Sequence, residues 1–258
     1  LYGLIERHSR DRQRGGYLEA FDRNWRLLAD LRLSDKDANE AKTMNTHLHL
    51  LEAYTTLYRV WPDGQLREDL LHLIDLFLTR FIAPHTHHLH LFFDEHWNLK
   101  SRTISFGHDI EAAWLLTEAA ALAGDTLLRK EVEKTAVAIA AATLTEGVDA
   151  DGGLFNEAGP QGLTDTDKHW WPQAEAMVGF WNAWERSGEE RYAEAARRSW
   201  RFIREYLVDR AGGEWRWGVH RDGAPMREED KAGPWKAPYH NTRACLEMIG
   251  RLDRWSAS

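Results

Sequence analysis

One register returns four times along this chain, at intervals of roughly sixty residues. It reads His49-Leu50-Leu51-Glu52-Ala53, His108-Asp109-Ile110-Glu111-Ala112, Pro172-Gln173-Ala174-Glu175-Ala176 and His240-Asn241-Thr242-Arg243-Ala244. In each, the first and fourth residues fall on one helix face, because positions i and i+3 are neighbours on a helix. Four similar helix heads at roughly even intervals imply a repeating helical fold.

The segments between the heads fit that demand. Leu48, Leu51, Tyr54, Leu57, Tyr58 and Trp61 recur at three- and four-residue spacing and predict a helix from Lys42 to Trp61, ended by Pro62-Asp63-Gly64. A second runs from about Gln65 to Phe81, stopped before Pro84. His108 to Ala123 and Thr126 to Thr145 form a pair broken at Gly124, and Trp170 to Arg186 and Glu189 to Val208 form another around Ser187-Gly188. A last helix spans His240 to Trp255, and residues 1–10 read as the final turns of a further one. Short strands are expected at Tyr17–Phe21 and after Asp149-Ala150-Asp151-Gly152-Gly153. Hairpins are expected at His88–Phe93 with Asp94-Glu95-His96-Trp97 and at Glu214–Val219 with the turn at Asp222-Gly223.

About eight helices, paired and antiparallel, make the layout of an α/α toroid. Its odd helices would line the inside, with the recurrent heads on one rim. Twelve helices close such a barrel, so eight make two thirds of one. The chain also opens inside a helix at Leu1 with no initiating Met. The expectation is a single α/α-barrel catalytic domain over 1–258, the C-terminal two thirds of a longer protein.

Composition removes several classes of function. The 33 basic against 41 acidic residues give a net charge of −8, and no basic cluster offers an electrostatic footprint for nucleic acid. One cysteine, Cys245, excludes an intramolecular disulfide framework and every multi-cysteine zinc pattern. No run of eighteen apolar residues and no signal-peptide pattern is present, so a cytoplasmic protein without membrane contact is expected. The outliers are 13 Trp and 13 His. Most Trp would fill a helical core, and the remainder would suit stacking on sugar rings.

The heads themselves carry the chemistry. His49, His108 and His240 on one rim, with Glu52, Glu111 and Glu175 one turn deeper, suit proton transfer near neutral pH, since imidazole titrates at about 6.5. Two other readings remain open for these histidines: capping or core packing, and metal binding. Di-metal bundles, however, use the reverse order Glu-x-x-His with further glutamates. His47, His72, His85, His87, His88 and His90 are assigned to surface or loop positions. In Gly233-Pro234-Trp235-Lys236-Ala237-Pro238-Tyr239-His240, two prolines stiffen the approach to the last head. Either Trp235 packs inward from a rigid loop, or it flanks a carbohydrate pocket, with Trp170-Trp171 as a second platform.

Four stretches carry a specific resemblance: Met44-Asn45-Thr46-His47-Leu48-His49-Leu50-Leu51-Glu52-Ala53-Tyr54, Gly107-His108-Asp109-Ile110-Glu111-Ala112, Trp170-Trp171-Pro172-Gln173-Ala174-Glu175-Ala176 and Trp235-Lys236-Ala237-Pro238-Tyr239-His240-Asn241. In order and approximate spacing the sequence resembles the cellobiose 2-epimerase branch of the N-acylglucosamine 2-epimerase family. The resemblance implies an (α/α)6 barrel, no cofactor and no metal, acting on the reducing-end sugar of β-1,4-linked disaccharides such as cellobiose, lactose or mannobiose. It implies proton abstraction from C2 of the opened glucose unit, a cis-enediolate, and proton return on the opposite face. His108 and His240 match the two bases, and His49 (rather than His47, by helical register) matches a third histidine that polarises the enediolate. Glu111, Trp171, Trp235, Asn45 and Asp37 match sugar-contacting or orienting positions. The family also has an arginine and aromatics on N-terminal helices with no counterpart here, so this chain alone is expected to be weakly active or inactive. The alternatives are a glycoside hydrolase on the same barrel, with Asp37, Asp109 and Glu111 as available acids, and a non-catalytic carbohydrate-binding toroid.

Overall fold

The computed structural model describes residues 1–32 and 38–256. Among the described residues there are eight α-helices: α1 (Tyr2–His8), α2 (Met44–Val60), α3 (Gly64–Leu76), α4 (Phe106–Ala123), α5 (Thr126–Glu146), α6 (Trp170–Ser187), α7 (Glu190–Phe202) and α8 (His240–Ser256). Each lies within about two residues of where its periodicity places it, once the π-helical turns that follow α3 and α7 are counted. Two of them run past their expected geometry: α3 and α7 continue into single π-helical turns, Phe77–Phe81 and Ile203–Leu207. No helix among the described residues is long and apolar enough to cross a membrane.

The chain divides into two compact units, 1–104 with 115–132, and 105–114 with 133–258. In the first, the three-residue link Trp61-Pro62-Asp63 turns α2 back along α3, and Asp63 caps α3 by accepting from the Gln65 and Leu66 amides. The core is Leu48, Leu51, Tyr54, Leu66, Leu70, Leu73, Ile74, Phe77 and Phe81. β1 (Lys42–Thr43) leads directly into α2 and pairs antiparallel with β2 (Phe92–Phe93). The hairpin expected at His88–Phe93 with Asp94-Glu95-His96-Trp97 forms as Phe93 bridges Leu99 and Lys100 N donates to the Phe92 carbonyl at 2.9 Å, with β2 also taking the longer-range pairing to β1. The strand expected at Tyr17–Phe21 is reduced to isolated bridges Arg10 to Tyr17 and Phe21 to Leu27.

The second unit repeats the plan. α6 and α7 pack as a pair across Gly188, which ends α6 in a left-handed conformation at φ 72°, and α8 packs on α6. β3 (Ile104–Ser105) ends where α4 begins. β4 (Glu157–Gly159) and β5 (Gly162–Asp165) form a hairpin, and β6 (Lys168–His169) leads into α6 while pairing with β7 (Gly218–Val219). The hairpin expected with the turn at Asp222-Gly223 forms between β7 and Pro225-Met226, through a Val219 to Pro225 bridge, His220 N donating to the Ala224 carbonyl at 2.9 Å and Met226 N to the Gly218 carbonyl at 3.1 Å, while the other edge of β7 takes β6.

A buried lysine precedes three of the heads. Lys42 bonds Asp11 Oδ2 at 2.9 Å and the Glu95 carbonyl at 3.0 Å. Lys168 bonds Asp149 and Asp151, both at 2.7 Å, and Lys236 bonds Glu214 at 2.9 Å and the Lys231 carbonyl at 2.8 Å. All three are at most 1% exposed. A buried ammonium survives only when paired and hydrogen-bonded, so each lysine ties the loop before a head to an acidic turn.

Two of the loop histidines are in fact buried: His47 at 0% and His88 at 4% exposure. His47 Nδ1 lies 2.7 Å from the Thr43 carbonyl, which can only accept, so Nδ1 carries the proton and Nε2 accepts from the Tyr17 amide at 2.9 Å. Burial lowers its pKa to about 4, only partly offset by the Thr43 bond. A histidine whose folded pKa is depressed contributes stability that is fully present above about pH 6.5 and is lost as pH falls through about 4. Over that window the loss is about 3 kcal/mol. Denaturant melts between pH 7 and pH 4.5 should show this slope, reduced in His47→Gln; equal slopes in the two proteins would remove His47 as its source.

Candidate active site

The site described here lies wholly in the second unit, where α4, α6 and α8 bring three of the four heads together. His108 and Glu111 stand one turn apart on α4, with Trp114 a turn further along the same face. α6 contributes Trp171 and, four residues on, Glu175; α8 contributes His240 and, three on, Arg243. Glycines let these helices meet. At Gly179 a Cβ would lie 2.5 Å from Ile110 Cγ1 and 2.6 Å from the Ile110 carbonyl oxygen. At Gly107 it would lie 2.5 Å from the Trp171 ring.

The Trp171 indole rests against Gly107 with a histidine on each flank. Its ring centroid is 4.7 Å from that of His108 and 5.4 Å from that of His240, tilted to both. His108 Nδ1 lies 2.8 Å from Ser105 Oγ, and His240 Nδ1 lies 2.8 Å from Glu175 Oε1. A carboxylate can only accept, so Nδ1 of His240 donates, and in the neutral ring the lone pair is on Nε2. Both imidazoles are half-buried, positioned but still reachable.

Glu175 is fully buried and bonded on several sides. Oε2 accepts from Trp114 Nε1 at 2.9 Å, while Oε1 accepts from His240 and, at 2.7 Å, from Arg243 Nη2. The same guanidinium nitrogen donates to Glu111 Oε1 at 2.5 Å. Burial alone would raise the Glu175 pKa, but the Arg243 charge and the His240 bond outweigh it and hold this carboxyl below its usual range. It is therefore ionised, and a base backed by an ionised carboxylate gains basicity and a fixed ring orientation.

The expected site residues fall in several places. His108, His240, Glu111 and Trp171 come together as described. Trp235 is 57% exposed on the approach to α8, so the inward-packing alternative is overturned. His49 and Asn45 lie half-buried on α2 in the first unit, with His49 Nδ1 at 3.4 Å from Glu52. Asp37 lies outside the described residues. Asp109 and Glu111 are both fully buried. Arg243, Trp114 and Ser105 also belong to the site, without a role expected from the sequence. Arg243 had a signal, since the spacing that sets Glu111 under His108 sets Arg243 under His240.

The N-acylglucosamine 2-epimerase (GlcNAc 2-epimerase) family model matches residues 1–244. The chain belongs to that family. Within the N-acylglucosamine 2-epimerases it is similar to the cellobiose 2-epimerase of Bacteroides fragilis, 49% identical over 251 residues that cover 97% of this chain and 64% of the relative. It is 40% identical over 252 residues to a cellobiose 2-epimerase of Ruminococcus albus, again covering 97% and 64%. Among solved structures, the cellobiose 2-epimerase from Bacillus thermoamylovorans B4167 superposes with a TM-score of 0.90 at 42% identity, over 97% of this chain and 64% of that one. The chain thus spans just under two thirds of the length of these members of the family.

Proposed function

We propose that the protein interconverts the reducing-end glucose of β-1,4-linked disaccharides with mannose, by removing and returning the C2 proton through a cis-enediolate. The observation that carries this is the pair of half-buried imidazoles flanking Trp171. Inversion at C2 needs one base on each face of the carbon, and His108 and His240 supply two. In the opened sugar the C1 carbonyl acidifies the C2 proton. One neutral imidazole takes that proton as the enediolate forms, and the other, protonated, delivers one to the opposite face. His240, oriented through Nδ1 by ionised Glu175, offers Nε2 for this exchange and for assisting ring opening. His49 keeps the implied role of polarising the enediolate, and Trp171, Trp235 and Asn45 that of contacting the sugar. Glu111, buried on Arg243, fits an orienting role better than a direct sugar contact. Nothing in this scheme calls for a metal or cofactor.

The mostly helical fold, with eight described helices, supports reading 1–258 as part of an (α/α)6 toroid and as one catalytic domain. The location proposed is cytoplasmic, and the substrate a small disaccharide: cellobiose, lactose or mannobiose. A hydrolase needs two acids set apart about the scissile bond, one of them exposed to donate a proton; Asp109, Glu111 and Glu175 are buried, and the last two share one guanidinium.

Incubation with cellobiose in deuterated water is the test. Glucosyl-mannose carrying deuterium at C2 is the expected product. Free glucose without exchange would overturn the proposal in favour of hydrolysis, and binding without turnover in favour of a carbohydrate-binding role.

A further inference from the structure

We propose that Arg243 is a positioning residue that acts as the resident cation of the cluster formed by Glu111, Glu175 and His240, holding His240 in the orientation and tautomer that proton transfer requires. This rests on reading His240 as one of the two bases. The three residues bring ligand-type atoms within 4.8 Å of one another, a spacing at which a divalent metal could be held. A side chain stands there instead. One guanidinium nitrogen of Arg243 donates to Glu111 at 2.5 Å and to Glu175 at 2.7 Å, reaching the same Glu175 oxygen that accepts from His240.

The guanidinium is fixed by more than these bonds. It lies over the Trp114 ring at 5.0 Å and over the Tyr239 ring at 4.5 Å, and Nη1 donates to the Tyr239 hydroxyl at 2.5 Å. Two buried carboxylates side by side repel one another and cannot both stay ionised without a cation between them. A planar, permanently charged group meets that need with fixed directions and, unlike a metal, binds no water of its own. With Arg243 in place the shared Glu175 oxygen stays negative and takes its second bond from His240 Nδ1–H, which leaves Nε2 for the substrate. The groups facing Glu175 are Glu111 and Trp114 from α4, and His240 and Arg243 from α8; Tyr239, just before α8, reaches the cluster through Arg243.

The test replaces Arg243 and asks what fills its place. Arg243→Ala, incubated with Zn²⁺ and dialysed, should retain about one equivalent of zinc that the parent does not, because it keeps a His-carboxylate donor set without the competing charge; the equivalent should vanish in Arg243→Ala/Glu175→Ala. In the deuterium-exchange assay, kcat should fall about 100-fold with KM within about threefold, as for loss of an orienting partner. Arg243→Lys, or guanidinium ion added to Arg243→Ala, should restore part of it. A kcat within threefold of the parent, or a variant that takes up neither zinc nor guanidinium, would overturn the proposal. If Arg243→Ala does not fold, Arg243→Gln carries the same zinc and rescue measurements. A parent that turns over no disaccharide would defeat the epimerase reading alone, since zinc uptake still reports on the cluster.

Discussion

Alanine at His108 or His240 should lower C2 deuterium exchange by about a thousandfold, within the range for loss of a positioned general base. The fold should be spared, because both side chains are half-buried at helix heads and neither fills the core. The two variants should differ in detail. Removing His240 takes one bond from Glu175, but Arg243 and Trp114 still hold that carboxylate. Removing His108 takes away the Ser105 bond and one flank of Trp171 and leaves the Glu175 carboxylate with its bonds from His240, Arg243 and Trp114. If either base alone suffices for one half-reaction, the surviving variant will exchange C2 without inverting it, which NMR of the labelled sugar separates from full epimerisation. Full exchange with inversion in either variant would remove that histidine from the mechanism.

Gly179→Ala should have the largest effect on stability. Its new methyl would stand 2.6 Å from the Ile110 carbonyl oxygen, and a backbone atom cannot rotate out of the way as a side-chain tip can. Overpacking a tight core contact costs about 1–3 kcal/mol when side chains relieve it; with backbone on one side, about 3 kcal/mol or more is expected, read as a lower denaturant midpoint. Activity should fall with it, since Ile110 neighbours Glu111, and Gly179 is one turn below Glu175 on α6. Gly107→Ala makes the contrasting case. There the closest obstacle is the outer edge of the Trp171 ring, which can swing, with Pro172 Cγ further off at 3.0 Å, so the loss of stability should be smaller while exchange drops. A Gly179→Ala protein as stable as the parent would mean that α4 and α6 can part at no cost.

Much of this was legible in the residues. Period-3.6 patterning and glycine or proline stops placed the helices, because an amphipathic helix records its buried face in sequence. The strands were less legible. β2 and β7 are two residues long and pair with partners far along the chain, so no local alternation marks their partners. The π-helical turns after α3 and α7 leave the apolar spacing almost unchanged and were invisible for that reason. In the site, the His-x-x-Glu register found His108 and Glu111. Arg243 holds the fourth position of the same register, but only the fold brings the glutamates of two other heads to it, and it is the charge that those glutamates require. His47 was misplaced because a histidine among polar neighbours looks exposed, while its backbone partners come from Thr43, one turn back, and Tyr17, thirty residues away.

The three lysines that anchor the heads have a use outside catalysis. An amine-reactive reagent needs a solvent-exposed nitrogen, and Lys42, Lys168 and Lys236 present none while their acidic partners hold them. Each becomes reactive only when its own loop opens. Mass-spectrometric labelling of the three sites over time would therefore record the opening of each helix entrance separately, with the protein supplying its own reporters.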